Sequence, residues 1–122
     1  MIEARLFRDD GVVEVLPSGA LTAVDFEQLA ALVDPFIEAN GELKGVMIVA
    51  DRFPGWDSFG ALVGHIRFVR GHQKRIRRVA TVSDGATLTL LPLLAKHFVR
   101  AEVRHFPFAE RDAAMQWLKQ AP

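Results

Sequence analysis

The run Val46-Met47-Ile48-Val49-Ala50-Asp51 decides how this chain folds. Its uninterrupted apolar stretch has the length of a strand, and a run without polar alternation belongs to a strand covered on both faces. Such strands sit in parallel sheets, whose connections are crossovers, so the flanking segments are expected to be helical. Upstream, Thr22 is placed as an N-cap with Asp25 three residues on, and Phe26, Leu29, Ala30, Val33 and Ile37 recur along one helical face. Asn40-Gly41 ends this helix, and Pro35, which lacks a backbone donor, is expected to kink or restart it. Downstream, after Phe53-Pro54-Gly55-Trp56, Asp57 or Ser58 caps a second helix whose Phe59, Leu62, Val63, Ile66 and Val69 share a face and which ends near His72.

Farther out, the pattern repeats. Val79 to Ser83 reads as another buried strand, Asp84-Gly85 as a turn, and Thr87 to Phe98 as a leucine-rich helix. Val99 to Phe106 supplies a last strand and Ala109 to Lys119 a last helix, with Ala114, Trp117 and Leu118 turned inward. At the start, residues 2 to 8 and 12 to 16 are extended runs joined by Asp9-Asp10-Gly11, a hairpin signal, and Pro17-Ser18-Gly19 closes the second. The order is therefore ββαβαβαβα: a single α/β domain with a mostly parallel, mixed five-stranded sheet flanked by four main helices.

Composition narrows the function classes. A chain of 122 residues, half of them hydrophobic, builds one core and one domain. Fifteen Lys and Arg balance fifteen Asp and Glu, so no global charge draws it to nucleic acid or to an anionic membrane. Without cysteine there is neither a disulfide framework nor a thiolate nucleophile, which fits a cytoplasmic protein. Met1-Ile2-Glu3-Ala4-Arg5 lacks the apolar run of a signal peptide, and no stretch reaches the roughly 18 apolar residues of a membrane span.

Ligands of such sheets bind beyond the carboxyl ends of the parallel strands, where Asp51 to Ser58, Ser83-Asp84-Gly85 and the loop at Pro107 fall. Asp51 and Asp84 end neighbouring strands and are either an acid-base pair or two loop-capping carboxylates. His65 and His72 stand about 10 Å apart along one helix, too far to share a metal. No HExxH, GxSxG, GxxxxGK[ST] or GxGxxG occurs, so no metal or other cofactor is expected and no catalytic residue is assigned.

Between Ser58 and Ser83 lie Arg67, Arg70, Lys74, Arg75, Arg77 and Arg78 with no acidic residue. They form either a patch for phosphate or anionic lipid, or the ordinary cationic partners of a helix C-terminus. Nucleic acid is not expected, because no Phe, Tyr or Trp between Gly71 and Arg78 offers a base to stack on. Leu88, Leu90, Leu91, Leu93 and Leu94 make a helix too apolar around its circumference for a surface position. Its cover is its own core, an apolar ligand, a bilayer surface or a partner subunit in a homodimer.

Gly55-Trp56-Asp57-Ser58, Ile66-Arg67-Phe68, His72 and Arg78-Val79-Ala80-Thr81-Val82-Ser83-Asp84, followed by Ala101-Glu102-Val103-Arg104-His105-Phe106 and Ala113-Ala114-Met115-Gln116-Trp117-Leu118, resemble the SpoIIAA-like family of bacterial proteins over nearly the whole chain. The resemblance implies a STAS-type domain across residues 1–122, similar to the lipid-binding CRAL-TRIO fold, in a family without an established enzymatic activity. With the leucine-rich helix and the nearby aromatic residues, it leads to the expectation of a non-catalytic binding or regulatory module that holds an apolar ligand or lipid, or touches the inner membrane peripherally, through Trp56, Phe59, Leu88, Leu90, Leu91 and Leu94. The alternatives are an interaction module of the anti-sigma-factor-antagonist type and an enzyme using Asp51 and Asp84. In those antagonists an Asp, two hydroxyl residues and a Gly open the helix, and the second hydroxyl takes a phosphate. Asp57-Ser58-Phe59-Gly60 departs from that pattern, since Phe59 stands at the acceptor position and leaves Ser58 as the candidate. Between Asp84 and Leu94 the chain carries threonines and leucines where nearer relatives carry tryptophans and charges.

Overall fold

A computed structural model describes residues 1–50, 59–84 and 101–120. The opening hairpin pairs β1 (Ile2–Phe7) with β2 (Val12–Pro17) in antiparallel register, Leu6 opposite Val13. Gly11 makes the turn with φ +69°, a left-handed conformation that glycine adopts without steric cost, and its N–H donates to Phe7 O at 2.9 Å. Next comes α1 (Ala23–Asn40), opened by a reciprocal cap: Thr22 N–H donates to Asp25 Oδ2 at 2.8 Å and Asp25 N–H to Thr22 Oγ1 at 3.1 Å. Gly41, at φ +89°, ends it.

Pro35 does not restart the helix, and α1 continues through it as one element. Pro35 and Ala31 both lie on the exposed side, so the carbonyl that the missing N–H leaves unpaired is open to water.

Then follow β3 (Leu43–Val49), α2 (Phe59–His72), a 3-10 turn over Gln73–Arg75, β4 (Ile76–Val82), β5 (Glu102–Phe106), a 3-10 turn over Phe108–Glu110 and α3 (Arg111–Lys119). β3 and β4 each begin three residues before their apolar runs, and β5 begins at Glu102 rather than Val99. The sheet is five-stranded and mixed, in the order β1-β2-β3-β4-β5, with every pair after the hairpin parallel. The fold class is as expected, but the described residues contain three α-helices and not four. The leucine-rich stretch from Thr87 to Phe98 lies outside them.

Alternation along the strands separates two cores. Val13, Val15, Val46 and Val79 meet α1 and α2 through Leu29, Val33, Ile37 and Val69. On the other face, Val12, Met47, Ala80, Val82 and Phe106 meet Ala114 and Leu118 of α3. This second contact depends on Gly45: a Cβ there would stand 2.6 Å from Leu118 Cδ2 and 2.9 Å from its Cβ. Gly45→Ala is therefore expected to cost about 1–3 kcal/mol through overpacking, read by urea denaturation. Gly71→Ala, with open space around it in α2, is expected to stabilise by up to about 1 kcal/mol.

Asp25 gives the fold an acid-sensitive cap. Burial opposes its ionisation, but the Thr22 amide and hydroxyl and the Met1 α-ammonium, at 3.3 Å, hold the carboxyl below its usual value. A carboxyl lowered on folding adds stability above its unfolded pKa of about 4, and the contribution fades as pH falls through the folded value. Urea titrations across pH are expected to show Asp25→Asn weaker than the parent at neutral pH, with the gap closing below about pH 4.

Candidate functional site

The apolar stripes of α1 and α2 are spent on the sheet, and what they leave outside is a seam between two helices. The pairs along it rise together in sequence. Ala23 Cα would lie 3.5 Å from a Cβ on Gly64, Phe26 stacks on His65 with ring centres 4.7 Å apart, and Asp34 meets His72. The helices thus run side by side in the same direction.

Small residues keep the seam open as a groove of about 520 Å³. Its floor is Ala23, Ala30 and Gly64 with the rings of Phe26 and Phe68, and its banks carry Glu27 on α1 and Arg67 on α2. His72 closes one end, its ring stacked on Phe68 at 4.1 Å. His72 Nε2 lies 2.5 Å from Asp34 Oδ1 and Nδ1 lies 2.6 Å from Phe68 O, so both ring nitrogens face oxygen acceptors across and along the helices.

The six basic residues do not form one patch. Arg67, Arg70, Lys74 and Arg75 are exposed at α2 and the turn after it, and Arg75 Nη1 donates to Gly41 O at 2.9 Å, capping α1. Arg77 pairs with Glu42. Arg78 is buried on the opposite face, where it donates to Trp117 O at 2.7 Å and Gln120 O at 3.2 Å, with its guanidinium 5.3 Å from the Trp117 ring centre.

At the carboxyl ends of the strands, Asp84 Oδ1 accepts from Phe108 N–H at 2.9 Å and fixes the loop after β5 to the end of β4. This is the loop-capping role expected of an aspartate there. Buried Ser83 donates its N–H to Phe106 O at 3.0 Å, and Thr81 Oγ1 lies 3.1 Å from His105 Nδ1. Asp51, the partner Asp84 would need as an acid-base pair, lies outside the described residues, as do Trp56, Asp57, Ser58, Leu88, Leu90, Leu91 and Leu94. Phe59 is placed only by its backbone, as the first residue of α2, directly after Ser58.

Among the described residues no three His, Asp or Glu side chains gather as metal ligands, and no helix is long and apolar enough to cross a membrane. The groove was not anticipated from the sequence. Its signal is the i, i+3/i+4 spacing of Glu27, Ala30 and Asp34 against Gly64, Arg67, Phe68 and His72, which becomes legible once both helices are known to share a face of the sheet.

Comparison with known proteins agrees with this architecture, and the family model described as SpoIIAA-like matches residues 12–119. The chain belongs to the SpoIIAA-like family. Among solved structures, an uncharacterised protein of the DUF3478 family with a SpoIIAA-like fold, from Shewanella loihica PV-4, is similar with a TM-score of 0.68 and 23% identity. The likeness covers 97% of this chain and 92% of that one, and at this identity it speaks for the fold. No protein of curated function matches the sequence.

Within this SpoIIAA-like domain the His72–Asp34 contact ties the two groove helices together. Asp34→Asn is expected to lower stability by up to about 1 kcal/mol, as for an exposed pair. A double-mutant cycle with His72→Ala is expected to give a coupling energy of the same size, read by thermal unfolding.

Proposed function

We propose that this chain is a non-catalytic protein-interaction module whose working face is the groove between α1 and α2. The observation that carries the reading is the contrast between the described strand ends and the helical face. At the strand ends Asp84 is committed to a backbone amide and Thr81 contacts His105, whereas the helix seam presents a stacked aromatic floor between oppositely charged banks. A floor of Phe rings and small residues with a charged rim is the composition of a docking surface. Membership of the SpoIIAA-like family and the SpoIIAA-like fold of its structural neighbour accord with a binding role.

The apolar-ligand or membrane reading is a separate proposal, supported by the leucines at 88, 90, 91, 93 and 94 in the sequence. A regulatory phosphate on Ser58 rests likewise on its place before α2.

Photo-crosslinking tests the groove. A benzophenone side chain at exposed Ala31, one turn beyond Glu27, is expected to give a protein adduct in cells producing the full chain. The same probe at exposed Asp112 of α3, across the sheet, is expected to give none. No adduct from Ala31, or equal adducts from both positions, overturns the reading.

A further inference from the structure

The charges flanking the groove are segregated by helix. On α1, Glu27, Asp34 and Glu38 follow one another at seven- and four-residue steps along the exposed side, and on α2 and its following turn the exposed charges are Arg67, Arg70, Lys74 and Arg75, the last of them donating to Gly41 O. Glu27, Glu38, Arg67, Arg70 and Lys74 form no ion pair within the chain among the described residues. Water solvates these five charges in the single chain, and a partner can reach them. The levels also match: Ala23 meets Gly64, Asp34 meets His72 and Gly41 O meets Arg75, so Glu27 stands level with Arg67, and Glu38 with Lys74.

An apolar trough with a negative bank and a positive bank at equal levels is its own complement. Rotating a second copy by half a turn about an axis along the groove lays α1 over the partner's α2, with the floors of the two grooves face to face. A half-turn about an axis across the groove lays acid on acid and base on base, so the charge pattern selects between the two. Two-fold self-pairing repeats each contact twice, and a net charge of zero leaves no long-range repulsion between copies.

We propose that the SpoIIAA-like chain pairs with a second copy of itself through this groove, Glu27 of each copy against Arg67 of the other. The inference rests on the α1–α2 face being the working surface and names its occupant.

Sedimentation equilibrium of the full chain across protein and salt concentrations tests it. The expected result is a reversible dimer that loosens as salt rises. Glu27→Arg and Arg67→Glu, each at an exposed position, are each expected to weaken it about tenfold or more, because both symmetric pairs turn repulsive. Circular dichroism checks that each variant is folded. An equimolar mixture of the two variants is expected to dimerise again, since both contacts of the mixed dimer once more join an acid to a base. A parent chain that stays monomeric into the millimolar range overturns the proposal, as does a mixture no tighter than its components. Sedimentation with anionic vesicles by a monomeric parent likewise overturns it and assigns Arg67, Arg70 and Lys74 to lipid. A monomeric parent whose Ala31 probe still captures another protein removes self-pairing and leaves the binding face standing.

Discussion

β2, β3 and β4 are neighbours in space in the same order as in the chain, and they run the same way. Each connection between them has to cross over, and the right-handed sense imposed by strand twist sends both crossovers to one face of the sheet. α1 and α2 must then lie side by side and point in the same direction. One consequence is electrostatic. Two parallel helices bring their carbonyl ends, with the partial negative charge of both dipoles, into one corner. Arg75 donates to Gly41 O in that corner, His72 lies against Phe68 O, and Arg70 and Lys74 stand exposed nearby. Much of the cationic excess between Ser58 and Ser83 is thus the complement of a geometry set by strand order.

The other face is held by a helix of nine residues, too short to be stable alone. Its stability comes from contact, and Gly45 permits that contact by letting Leu118 reach the sheet backbone. Charged clamps hold both ends. Arg111 pairs with buried Glu14 near the start, Lys119 pairs with Asp10, and Arg78 fills the carbonyl positions at Trp117 and Gln120. Burying the Arg78 guanidinium costs hydration, which two carbonyl acceptors and the face of Trp117 offset. Adjacent residues of one strand, Arg77 and Arg78, therefore serve different partners on different faces, because strand side chains alternate.

Local chemistry made much of the fold legible in advance. Asp10-Gly11 gave the hairpin, Thr22 with Asp25 the start of α1, and the apolar run at Val46 the parallel sheet, since each signal acts over a few residues. What stayed hidden depends on neighbours distant in sequence. Leu43-Lys44-Gly45 reads poorly as strand because Lys44 and Gly45 break the apolar run, and only Leu118 explains why glycine belongs there. Pro35 reads as a break because the sequence does not say that its side of the helix faces water. The candidate site was less legible than the fold. The residues singled out at 56–58 and 88–94 fall outside the described residues, and the groove joins positions about forty residues apart, which no window along the chain connects.

A helix pair that only sealed the sheet would need its inward stripe and nothing more. α1 meets that need with Leu29, Val33, Phe36 and Ile37, and α2 contributes Val69. At the edge of the stripe the seam also carries buried Phe26 and half-buried Phe68, and where larger side chains would fill it the chain has Ala23, Ala30 and Gly64. Those choices keep a trough open and line it with apolar surface that gains from being covered. In the proposed reading the banks decide what docks there. Because acid stands on one side and base on the other, an occupant has to bring its charges in the reverse order, and one that brings them in the same order is repelled along its whole length. The separation of acid from base gives the groove a direction.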